Sequence, residues 1–442
     1  MVKDKYRIDF ENTVYDRNLE IDKSIALIDK LEKERSLSLE EYKYLVENLN
    51  KEVFDYISKK ARIIGDENYG KDVYLRGLIE ISNICKNDCY YCGIRHSNRN
   101  CERYRLSEEE ILECADEGYA LGYRTFVMQG GEDGKFEPEY VCGIVRKIKA
   151  KYKDVAVTLS LGEYDKESYQ KMYDAGADRY LLRHETADKE HYEKLHPKTM
   201  SFDNRMNCLK DLKDIGFQVG CGFMVGSPYQ SSATLAKDLK FIEEFAPEMC
   251  GIGPFIPHHD TVFKDEKSGS IQMTLFLIAI LRIMRPNMLI PATTSLSTLD
   301  NLGREKGILA GANVVMPNLS PVKNRKKYEL YDGKVCTGDE AAHCIGCITK
   351  RINNIGYKVA KVRGVVALAA VFDGDEHAVL PVVGQGGREL AHDGCDGDHD
   401  DGDDASRDEG RQGGGLLGLA PSGQAHGEGR CEAAALVALG AE

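Results

Sequence analysis

The sequence predicts an α/β protein built on a (β/α)8 TIM-type barrel. The first observation is that eight short apolar segments alternate with amphipathic helical patterns between residues 78 and 316. The second is that no two neighbouring apolar segments are joined by a hairpin turn, and this alternation is typical of a parallel sheet. The third is that chemically unusual residues recur just behind these segments. Because a closed parallel barrel carries its active site at the carboxyl ends of its strands, all three observations favour this fold.

The chain is predicted to have three parts. Residues 1–70 form an N-terminal helical extension and residues 71–358 form the barrel, which ends in a segment over residues 328–358. Residues 359–442 form a low-complexity tail rich in Gly, Ala and Asp. We therefore expect the chemistry of the protein to lie in the second part.

Helix starts are marked by capping boxes, in which a serine and a glutamate three residues later bond each other's backbone amides. Ser38 and Glu41 form one such pair in the extension, and Ser107 and Glu110 form another. The apolar face behind the first box, predicted to pack on the barrel, consists of Tyr42, Leu45, Val46 and Leu49. Further helical patterns cover Ser107–Leu121, Tyr140–Lys151 and Phe202–Ile215. The predicted strands are Leu78–Ile84, Thr125–Gln129, Ala156–Leu161, Arg179–Arg183, Gln218–Val225, Met249–Phe255, Met288–Thr293 and Val314–Met316.

Three cysteines follow the first predicted strand with the spacing C-x3-C-x2-C, at Cys85, Cys89 and Cys92. Thiolates are soft ligands that suit zinc or iron–sulfur clusters. A structural zinc site needs four ligands, and this loop has three. A cubane cluster held by three cysteines leaves one iron open for a ligand. The spacing therefore predicts an iron–sulfur site with an exchangeable position, against the alternative of structural thiols that are close by chance.

Polar residues follow most of the other predicted strands. Gln129-Gly-Gly-Glu-Asp133 follows the second, and its glycines let the backbone approach a ligand. Thr158 and Ser160 share one face of the third strand, and Arg183 and Glu185 share one face after the fourth. The remaining residues at strand ends or at the start of the following helix are Arg205, Met224, Thr293, Thr294 and Met316. His258 and His259 are interpreted as loop histidines, because no nearby Cys or carboxylate completes a metal site.

A second group of three cysteines, Cys336, Cys344 and Cys347, closes the barrel part of the chain. The absence of a fourth ligand again favours an iron–sulfur cluster over a zinc ribbon. Five further cysteines lie within helix or strand patterns and are expected to be core residues. These are Cys114, Cys142, Cys208, Cys221 and Cys250.

The tail differs from the rest of the chain in composition. After Val359 the sequence has one Lys and no Ile, Asn or Tyr, although the chain has 23 Tyr before that point. Residues 360–442 hold six basic and 16 acidic side chains, so they carry most of the net charge of −13. This composition is typical of a solvated coil, and we expect the tail to be disordered and foreign to the barrel. The acidic run Asp396–Asp404 lacks the Gly and Glu positions of an EF-hand calcium loop.

Composition also limits the class of protein. The part before the tail is nearly neutral, which gives no basic field for nucleic acid. No export signal and no apolar run long enough for a bilayer are visible, so we expect a cytoplasmic protein with no membrane association. Fourteen cysteines in that setting indicate metal or redox chemistry rather than disulfides.

The first cysteine loop resembles the signature of the radical S-adenosylmethionine (SAM) superfamily, in which the open iron chelates the methionine moiety of SAM. Residues 20–358 further resemble the HydE family of [FeFe]-hydrogenase maturases, relatives of biotin synthase and methylornithine synthase. This narrower resemblance rests on Gln-Gly-Gly-Glu-Asp, Arg-His-Glu-Thr, Pro-Ala-Thr-Thr and the C-x7-C-x2-C group. It implies a radical SAM barrel with a [4Fe-4S] cluster, SAM and a second cluster, either [2Fe-2S] or [4Fe-4S].

The resemblance also implies roles for individual residues. Cys85, Cys89 and Cys92 would hold the catalytic cluster, and Cys336, Cys344 and Cys347 the accessory cluster. The residues implied in SAM binding are Tyr91, Gly130, Gly131, Glu132, Ser160, Glu185, Arg205 and Met224. Those implied in lining the substrate cavity are Gln129, Thr158, Arg183, Thr293, Thr294, Met316, Tyr328 and Tyr331.

The activity implied is reductive cleavage of SAM to a 5′-deoxyadenosyl radical during assembly of the hydrogenase H-cluster. The substrate would be small and iron-containing or cysteine-derived. The implied partners are the maturases HydG and HydF and an electron donor such as ferredoxin or flavodoxin, and the protein is expected to be a monomer. Two alternatives stay open: a methylornithine-synthase-like or other biotin-synthase-like radical SAM enzyme, and a non-catalytic iron–sulfur carrier.

Overall fold

The structure, a computed structural model, describes residues 19–338 and 341–364. The side chains of residues 341–344 are not among those described, so the side chain of Cys344 lies outside the description. The expectations for residues 365–442, including the acidic run, also fall outside the described residues.

Three helices precede the barrel: α1 (Leu19–Glu34), α2 (Leu39–Glu47) and α3 (Lys51–Tyr69). The predicted capping box is present, since the Ser38 side chain accepts from the Glu41 amide and the Glu41 carboxylate accepts from the Ser38 amide. Tyr42, Leu45 and Val46 are buried, as the helical spacing predicts. The α2 helix packs against α9 of the barrel, which extends over Ser232–Phe245.

The barrel follows, with helices between most of its successive strands. Its strands are β1 (Asp72–Leu75), β2 (Gly77–Ser82), β3 (Thr125–Gly130), β4 (Ala156–Ser160), β5 (Arg179–Leu181), β6 (Gln218–Cys221), β7 (Met224–Val225), β8 (Met249–Cys250), β9 (Gly253–Pro254), β10 (Val314–Val315) and β11 (Lys358–Ala360). Its other helices are α4 (Glu108–Ala120), α5 (Pro138–Lys151), α6 (Lys166–Asp174), α7 (Lys189–Leu195), α8 (Phe202–Ile215), α10 (Ile271–Met284), α11 (Thr294–Leu299), α12 (Gly303–Leu309), α13 (Val322–Arg325) and α14 (Ala341–Asn354).

The strands close into a ring, which confirms the predicted barrel. Six of them pair in parallel in the order β2-β3-β4-β5-β6-β8. Single parallel bridges complete the circle, from Met249 to Leu289, from Pro291 to Val314 and from Asn318 back to Leu78. The predicted seventh strand, Met288–Thr293, is therefore present only as bridges and not as a regular strand.

The fifth and sixth predicted strands are each interrupted. Gly222 separates β6 from β7 and has a φ of +156°, and a Cβ there would lie 2.0 Å from the carbonyl oxygen of Gly251. This close approach of two backbones requires glycine and breaks the regular pairing at one level of the barrel. The sequence pattern of apolar residues runs through the break, which is why it predicted one long strand.

The α10 helix is apolar on all sides, and every residue over 274–284 is buried. It packs against α3 and α1 of the extension and against α12 of the barrel. A helix that is hydrophobic all round must be covered on all sides, so the N-terminal extension supplies the outer cover of this barrel helix.

The C-terminal boundary of the barrel differs from the prediction. The β11 strand pairs in parallel with β1 and crosses the predicted border at residue 358. Beyond it, the Arg179 guanidinium donates to the carbonyl oxygen of Gly364 at 2.5 Å. The assignment of residues 359–364 to the disordered tail is therefore wrong, because the buried Arg179 donates to the carbonyl oxygens of Arg363 and Gly364 in this segment, in addition to Gln218 and Thr125. The amino-acid composition changes after Val359, whereas contacts with the barrel continue to Gly364.

Among the described residues, no helix has both the length and the apolar character needed to cross a bilayer.

The contacts of residues 358–364 with β1 and Arg179 lead to a prediction about truncation. Deletion of residues 365–442 is expected to leave the melting temperature unchanged, whereas deletion of residues 360–442 should lower it by several degrees. The reason is that the longer deletion removes carbonyl acceptors of Arg179, and an unsatisfied buried donor costs about 1–3 kcal/mol. The measurement is thermal unfolding of both truncated proteins. Equal melting temperatures would show that residues 360–364 contribute nothing to the barrel.

Candidate active site

The three cysteines of the first group lie in the loop that follows β2, and all three are half-buried. The buried Asn83 fixes the start of this loop, because its amide donates to the carbonyl oxygens of Glu102 and Lys327. The Lys86 amide then donates to the carbonyl oxygen of Glu132, in the loop after β3. The cysteine loop is thus tied to the carboxyl end of the neighbouring strand.

Two glycines allow this close packing. A Cβ at Gly131 would lie 2.3 Å from the Ile84 carbonyl oxygen and 2.8 Å from Cys85 Cβ, so only glycine lets the loop after β3 approach the cysteines. Gly162, with a φ of +87°, lies directly against the Glu132 side chain, where a Cβ would meet Cγ at 1.9 Å. The backbone after β4 therefore fixes the position of the Glu132 carboxylate.

A cavity of about 300 Å³ opens beside the cysteine loop at the carboxyl ends of the strands. It brings together the three cysteines and twelve other residues predicted from the sequence. These are Tyr91, Gln129, Gly130, Gly131, Glu132, Ser160, Arg183, Glu185, Arg205, Met224, Tyr328 and Tyr331. The structure thus collects residues from the ends of many strands around one space.

Four residues predicted for the cavity do not line it. Thr158 lies instead beside Arg76 and Arg179 in a separate, much smaller pocket. Thr293 approaches the cavity through Ser295, whose hydroxyl is 3.0 Å from the Thr293 hydroxyl and which does line the cavity. The other two are Thr294, whose hydroxyl accepts from Arg304, and Met316, which packs in a small apolar cluster.

Several buried polar atoms of the cavity wall have no hydrogen-bond partner among the described residues. They are Glu132 Oε2, Arg183 Nε and Nη2, and Glu185 Oε2. Arg183 Nη2 is 3.2 Å from Glu185 Oε2 and Lys86 Nζ is 3.1 Å from Glu132 Oε2, so these are ion pairs without hydrogen-bond geometry. Buried polar groups are nearly always bonded, so these atoms indicate that the cavity takes a polar ligand with both cationic and anionic groups.

Arg205 organises the charged wall of the cavity. Its guanidinium donates to Glu163 Oε1 at 2.5 Å and to the Arg183 carbonyl oxygen at 2.6 Å, and lies 3.9 Å from Glu132 Oε1. Burial lowers the pKa of Arg205, but Glu163 and its neighbours outweigh this and raise it. Burial raises the pKa of Glu132 despite Arg205 and Lys86. A bound ammonium group would compensate this burial of the Glu132 carboxylate.

Glu163 was not identified from the sequence, although it follows Gly162 at the end of the predicted third strand. A carboxylate at a strand end, directly after a glycine, is the signal that could have identified it.

Tyr91 presents its ring to the cavity. Its hydroxyl lies 3.1 Å from His196 Nε2, while His196 Nδ1 donates to the Tyr192 carbonyl oxygen. That second bond leaves Nε2 as the acceptor, so the Tyr91 hydroxyl donates. Burial lowers the pKa of His196 to about 3, which keeps the imidazole neutral. The Tyr91 ring is therefore held in one orientation beside the cysteines.

The thiols of the three cysteines lie in an environment that opposes ionisation. Burial raises the pKa of Cys85 and of Cys89, and raises that of Cys92 to about 12. Thiols in such surroundings are neutral and unreactive unless a soft cation is present to bind their thiolates. Together with the open cavity beside them, the three sulfurs fit a cluster that needs three protein ligands and binds a polar molecule.

A buried ion pair closes the top of the barrel. Glu80, which is 1% exposed, accepts from Lys334 Nζ at 2.5 Å and from the Asn318 amide at 2.7 Å. Lys334 also donates to the carbonyl oxygen of Tyr328, whose own hydroxyl accepts from the Gln129 amide. Residues 328–334, which we call the C-terminal strap, are thereby fixed over the cavity.

The sequence analysis did not identify this ion pair. The signal for Glu80 is a single charge within the apolar run Leu-Ile-Glu-Ile, since a carboxylate in a buried strand needs a partner. Nothing in the sequence identifies Lys334 as that partner.

The histidine pair requires a correction. A carboxylate does lie near His258 and His259, because Asp332 of the strap is 2.6 Å from His259 Nδ1 and 3.9 Å from His258 Nε2. The Asp260 amide donates to His258 Nδ1, so the proton of this buried neutral imidazole is on Nε2, facing Asp332. A metal ligand needs a free nitrogen lone pair, so this arrangement fits a hydrogen-bonded clamp on the strap and not a metal site.

The second cysteine group lies next to α12 and α14. Cys336 is half-buried and accepts from Arg304 Nη1 at 3.5 Å, and Cys347 is exposed on α14. Arg351 of α14 pairs with Glu305 of α12 at 2.6 and 2.7 Å, which holds the two helices together. The helix carries residues 344 and 347 one turn apart, as ligands of one site would require.

The family model described as "Radical SAM superfamily" matches residues 79–242. The [FeFe] hydrogenase maturase subunit HydE of Thermotoga maritima is 44% identical over 332 residues, covering 75% of this chain and 94% of that protein. The 3-methylornithine synthase of Methanosarcina acetivorans is 30% identical over 307 residues, covering 69% of this chain and 84% of that protein.

Solved structures agree with the fold. The crystal structure of methylornithine synthase (PylB) has a TM-score of 0.66 at 28% identity, covering 76% of this chain and 97% of that one. A crystal structure of HydG, a maturase of the [FeFe]-hydrogenase, has a TM-score of 0.65 at 21% identity, covering 77% of this chain and 76% of that one. The second likeness concerns the fold alone.

The buried ion pair leads to a prediction about stability. Lys334→Met is expected to destabilise the protein by about 3–5 kcal/mol, because it leaves the Glu80 carboxylate buried without its cation. Adding Glu80→Gln should recover most of this loss, since the buried charge is then gone. Urea unfolding of the two variants and the parent measures both steps. A double variant as unstable as Lys334→Met alone would show that the charge is not the cause.

Proposed function

Because this chain belongs to the HydE family of radical SAM enzymes, we propose that it acts in assembly of the [FeFe]-hydrogenase H-cluster. The observation that carries the proposal is the cavity, where three half-buried cysteines face Glu132, Arg183 and Glu185, which have buried polar atoms without hydrogen-bond partners among the described residues. A [4Fe-4S] cluster bound there would pass one electron from an external donor to SAM, which would then divide into methionine and a 5′-deoxyadenosyl radical.

We propose a role for each residue of the wall. Cys85, Cys89 and Cys92 hold the cluster. Glu132 accepts from the amino group of SAM, and Arg205 holds both Glu132 and the segment that ends in Glu185, which binds the ribose. The further residues proposed for SAM binding are Tyr91 on the adenine, with Gly130, Gly131, Ser160 and Met224 around it.

The C-terminal strap keeps water from the reaction. Its residues Tyr328 and Tyr331 line the cavity, and the Glu80–Lys334 pair holds it in place. A radical needs a closed chamber, since water and other donors would consume it. The proposed substrate contacts are Gln129, Arg183, Tyr328 and Tyr331, while Thr158, Thr293, Thr294 and Met316 support the wall from behind.

The substrate class and partners follow from the same family. We propose a small iron-containing or cysteine-derived substrate, the maturases HydG and HydF as functional partners, and ferredoxin or flavodoxin as the electron donor. The protein would work as a monomer in the cytoplasm. Its paired ions, Arg183 with Glu185, suit a zwitterionic or anionic substrate next to SAM.

A second candidate function has specific support. The PylB structure and the 30% identity to 3-methylornithine synthase favour a radical SAM mutase of an amino acid. Such an enzyme would turn over an amino acid alone and would not restore hydrogenase maturation. Complementation of an [FeFe]-hydrogenase maturation system lacking its HydE therefore separates the two candidates.

The cluster assignment leads to a prediction about SAM cleavage. The anaerobically reconstituted protein should form 5′-deoxyadenosine from SAM in the presence of dithionite, and Cys89→Ser should reduce this to the background rate. Cys142→Ser is the matched control, because Cys142 is a buried core cysteine of α5 that does not line the cavity. Undiminished cleavage by Cys89→Ser would remove the cluster from this loop.

We also propose that Cys336, Cys344 and Cys347 hold a second iron–sulfur cluster, either [2Fe-2S] or [4Fe-4S]. The support is the half-buried Cys336 with Arg304 as a donor to its sulfur, and the α14 helix that carries the other two cysteines. Hydrogen bonds to cluster sulfurs are a usual means of tuning such sites.

Replacement of all three cysteines by serine should remove iron from the protein but retain SAM cleavage, because neither of the two described side chains, Cys336 and Cys347, lines the cavity. Iron analysis and 5′-deoxyadenosine formation measure the two effects. Loss of SAM cleavage in a folded triple variant with an intact first cluster would place the second cluster on the catalytic route.

A further inference from the structure

Two ionisable side chains are completely buried behind the cavity wall. His184 lies in the chain between Arg183 and Glu185, which face the cavity, and its own side chain is directed outwards, towards α9. There it meets Asp238 of α9, and both side chains are 0% exposed. Burial of two such groups outside any ligand site is costly, so their presence needs a reason.

Each side chain of the pair accepts a hydrogen bond from a backbone amide, whereas His184 Nε2 and Asp238 Oδ2 have no hydrogen-bond partner among the described residues. Asp238 Oδ1 accepts from the Ala187 amide at 2.5 Å and lies 3.4 Å from His184 Nε2. The Gly222 amide donates to His184 Nδ1, which leaves the imidazole proton on Nε2, facing Asp238. Burial lowers the pKa of His184 to about 3 and raises the pKa of Asp238 well above its usual range.

Glu185 lies between His184 and Ala187 in the chain, and its backbone conformation is unusual for a residue with a side chain. Its φ of +64° is in the left-handed region, where a residue with a side chain is strained by about 1–3 kcal/mol. Its amide donates to the Gly222 carbonyl oxygen, and its own carbonyl accepts from the Met224 amide. These bonds fix the residue against the segment over residues 222–224, and the buried Thr186 hydroxyl, 3.0 Å from His191 Nδ1, adds a contact to α7. The Ala187–Asp238 bond holds the chain two residues further on.

We propose that Asp238, assisted by His184, is a positioning residue that holds Glu185 in its left-handed conformation. The carboxylate of Glu185 then projects into the cavity beside Arg183. Without the Asp238 bond, the strain at Glu185 would be released by rotation of the segment over residues 185–187, which carries the carboxylate away from the ligand. This inference rests on the proposed function, in which Glu185 binds the ribose of SAM.

The pair acts at a distance from the ligand, because neither residue lines the cavity. An apolar side chain would fill the same space more cheaply if packing against Phe223 and Phe241 were the only role. The acceptor oxygen at residue 238 is therefore the feature that matters. Asparagine can supply this oxygen, and leucine cannot.

The test compares Asp238→Asn with Asp238→Leu in the anaerobically reconstituted protein, by equilibrium dialysis with SAM. The expected result is that Asp238→Leu weakens SAM binding about tenfold, as the loss of one positioning hydrogen bond implies, while Asp238→Asn changes it less than about twofold. On a Glu185→Ala background the leucine substitution should have no further effect, because the group that it positions is gone.

A merely structural role predicts a different pattern. It would lower the melting temperature and weaken SAM binding equally in both backgrounds, and this result would overturn the proposal. Unchanged SAM affinity in Asp238→Leu would overturn it as well. If Asp238→Leu does not fold, His184→Phe keeps an aromatic ring between Phe223 and Phe241 and removes the N–H that faces Asp238. His184→Phe is expected to weaken SAM binding less than Asp238→Leu does, and to have no effect on a Glu185→Ala background. Unchanged SAM affinity in His184→Phe would overturn the proposal.

The failures are distinguishable. If the unsubstituted protein does not bind SAM, the proposed function fails. If it binds SAM and Glu185→Ala has no effect on the affinity, the role of Glu185 fails and the positioning role of Asp238 fails with it.

Discussion

The barrel depends on a ring of parallel backbone hydrogen bonds that is regular on one side and reduced to single bridges on the other. Between β2 and β8 the pairing is continuous, and from Met249 through Leu289, Pro291 and Asn318 it is carried by isolated bridges. Because all these strands run in the same direction, their carboxyl ends meet at one mouth. This is the constraint that brings the cysteine loop, the carboxylates and the arginines together from distant parts of the sequence.

Charges at that mouth are organised in two layers. In the wall, Arg205 and Glu163 form a hydrogen-bonded pair, while Glu132 and Arg183 have buried atoms without hydrogen-bond partners among the described residues. Above it, the Glu80–Lys334 pair is fully bonded and holds the strap. Satisfied pairs give rigidity, and unsatisfied ones indicate where a ligand binds. The fully hydrogen-bonded pairs therefore support the cavity, and the side chains with unbonded polar atoms are the ones that contact a bound ligand.

The sequence predicted the barrel and most of the cavity, because its signals are local. Strand ends, glycines and cysteine spacing can be read within a few residues, and the cavity contains Glu132, Arg183 and Glu185 as expected. Pairings over long distances in the chain could not be read in this way. Lys334 reaches Glu80 and Asp332 reaches His259 only because the strap folds back over the mouth. Thr158 was misplaced for a related reason, since the period of two gives the face of a strand but not the depth within the barrel.

The pairing of β11 with β1 has a consequence for biosynthesis. The β1 strand lies between β10 and β11, so the first strand made by the ribosome receives its two neighbours from the last parts of the folded chain. Until Lys358–Ala360 have left the exit tunnel, the edge of β1 is open and can pair with another nascent chain. The ring itself closes earlier in the chain, through the bridge from Asn318 to Leu78, so β11 protects the remaining edge of β1 only after the rest of the barrel has been made.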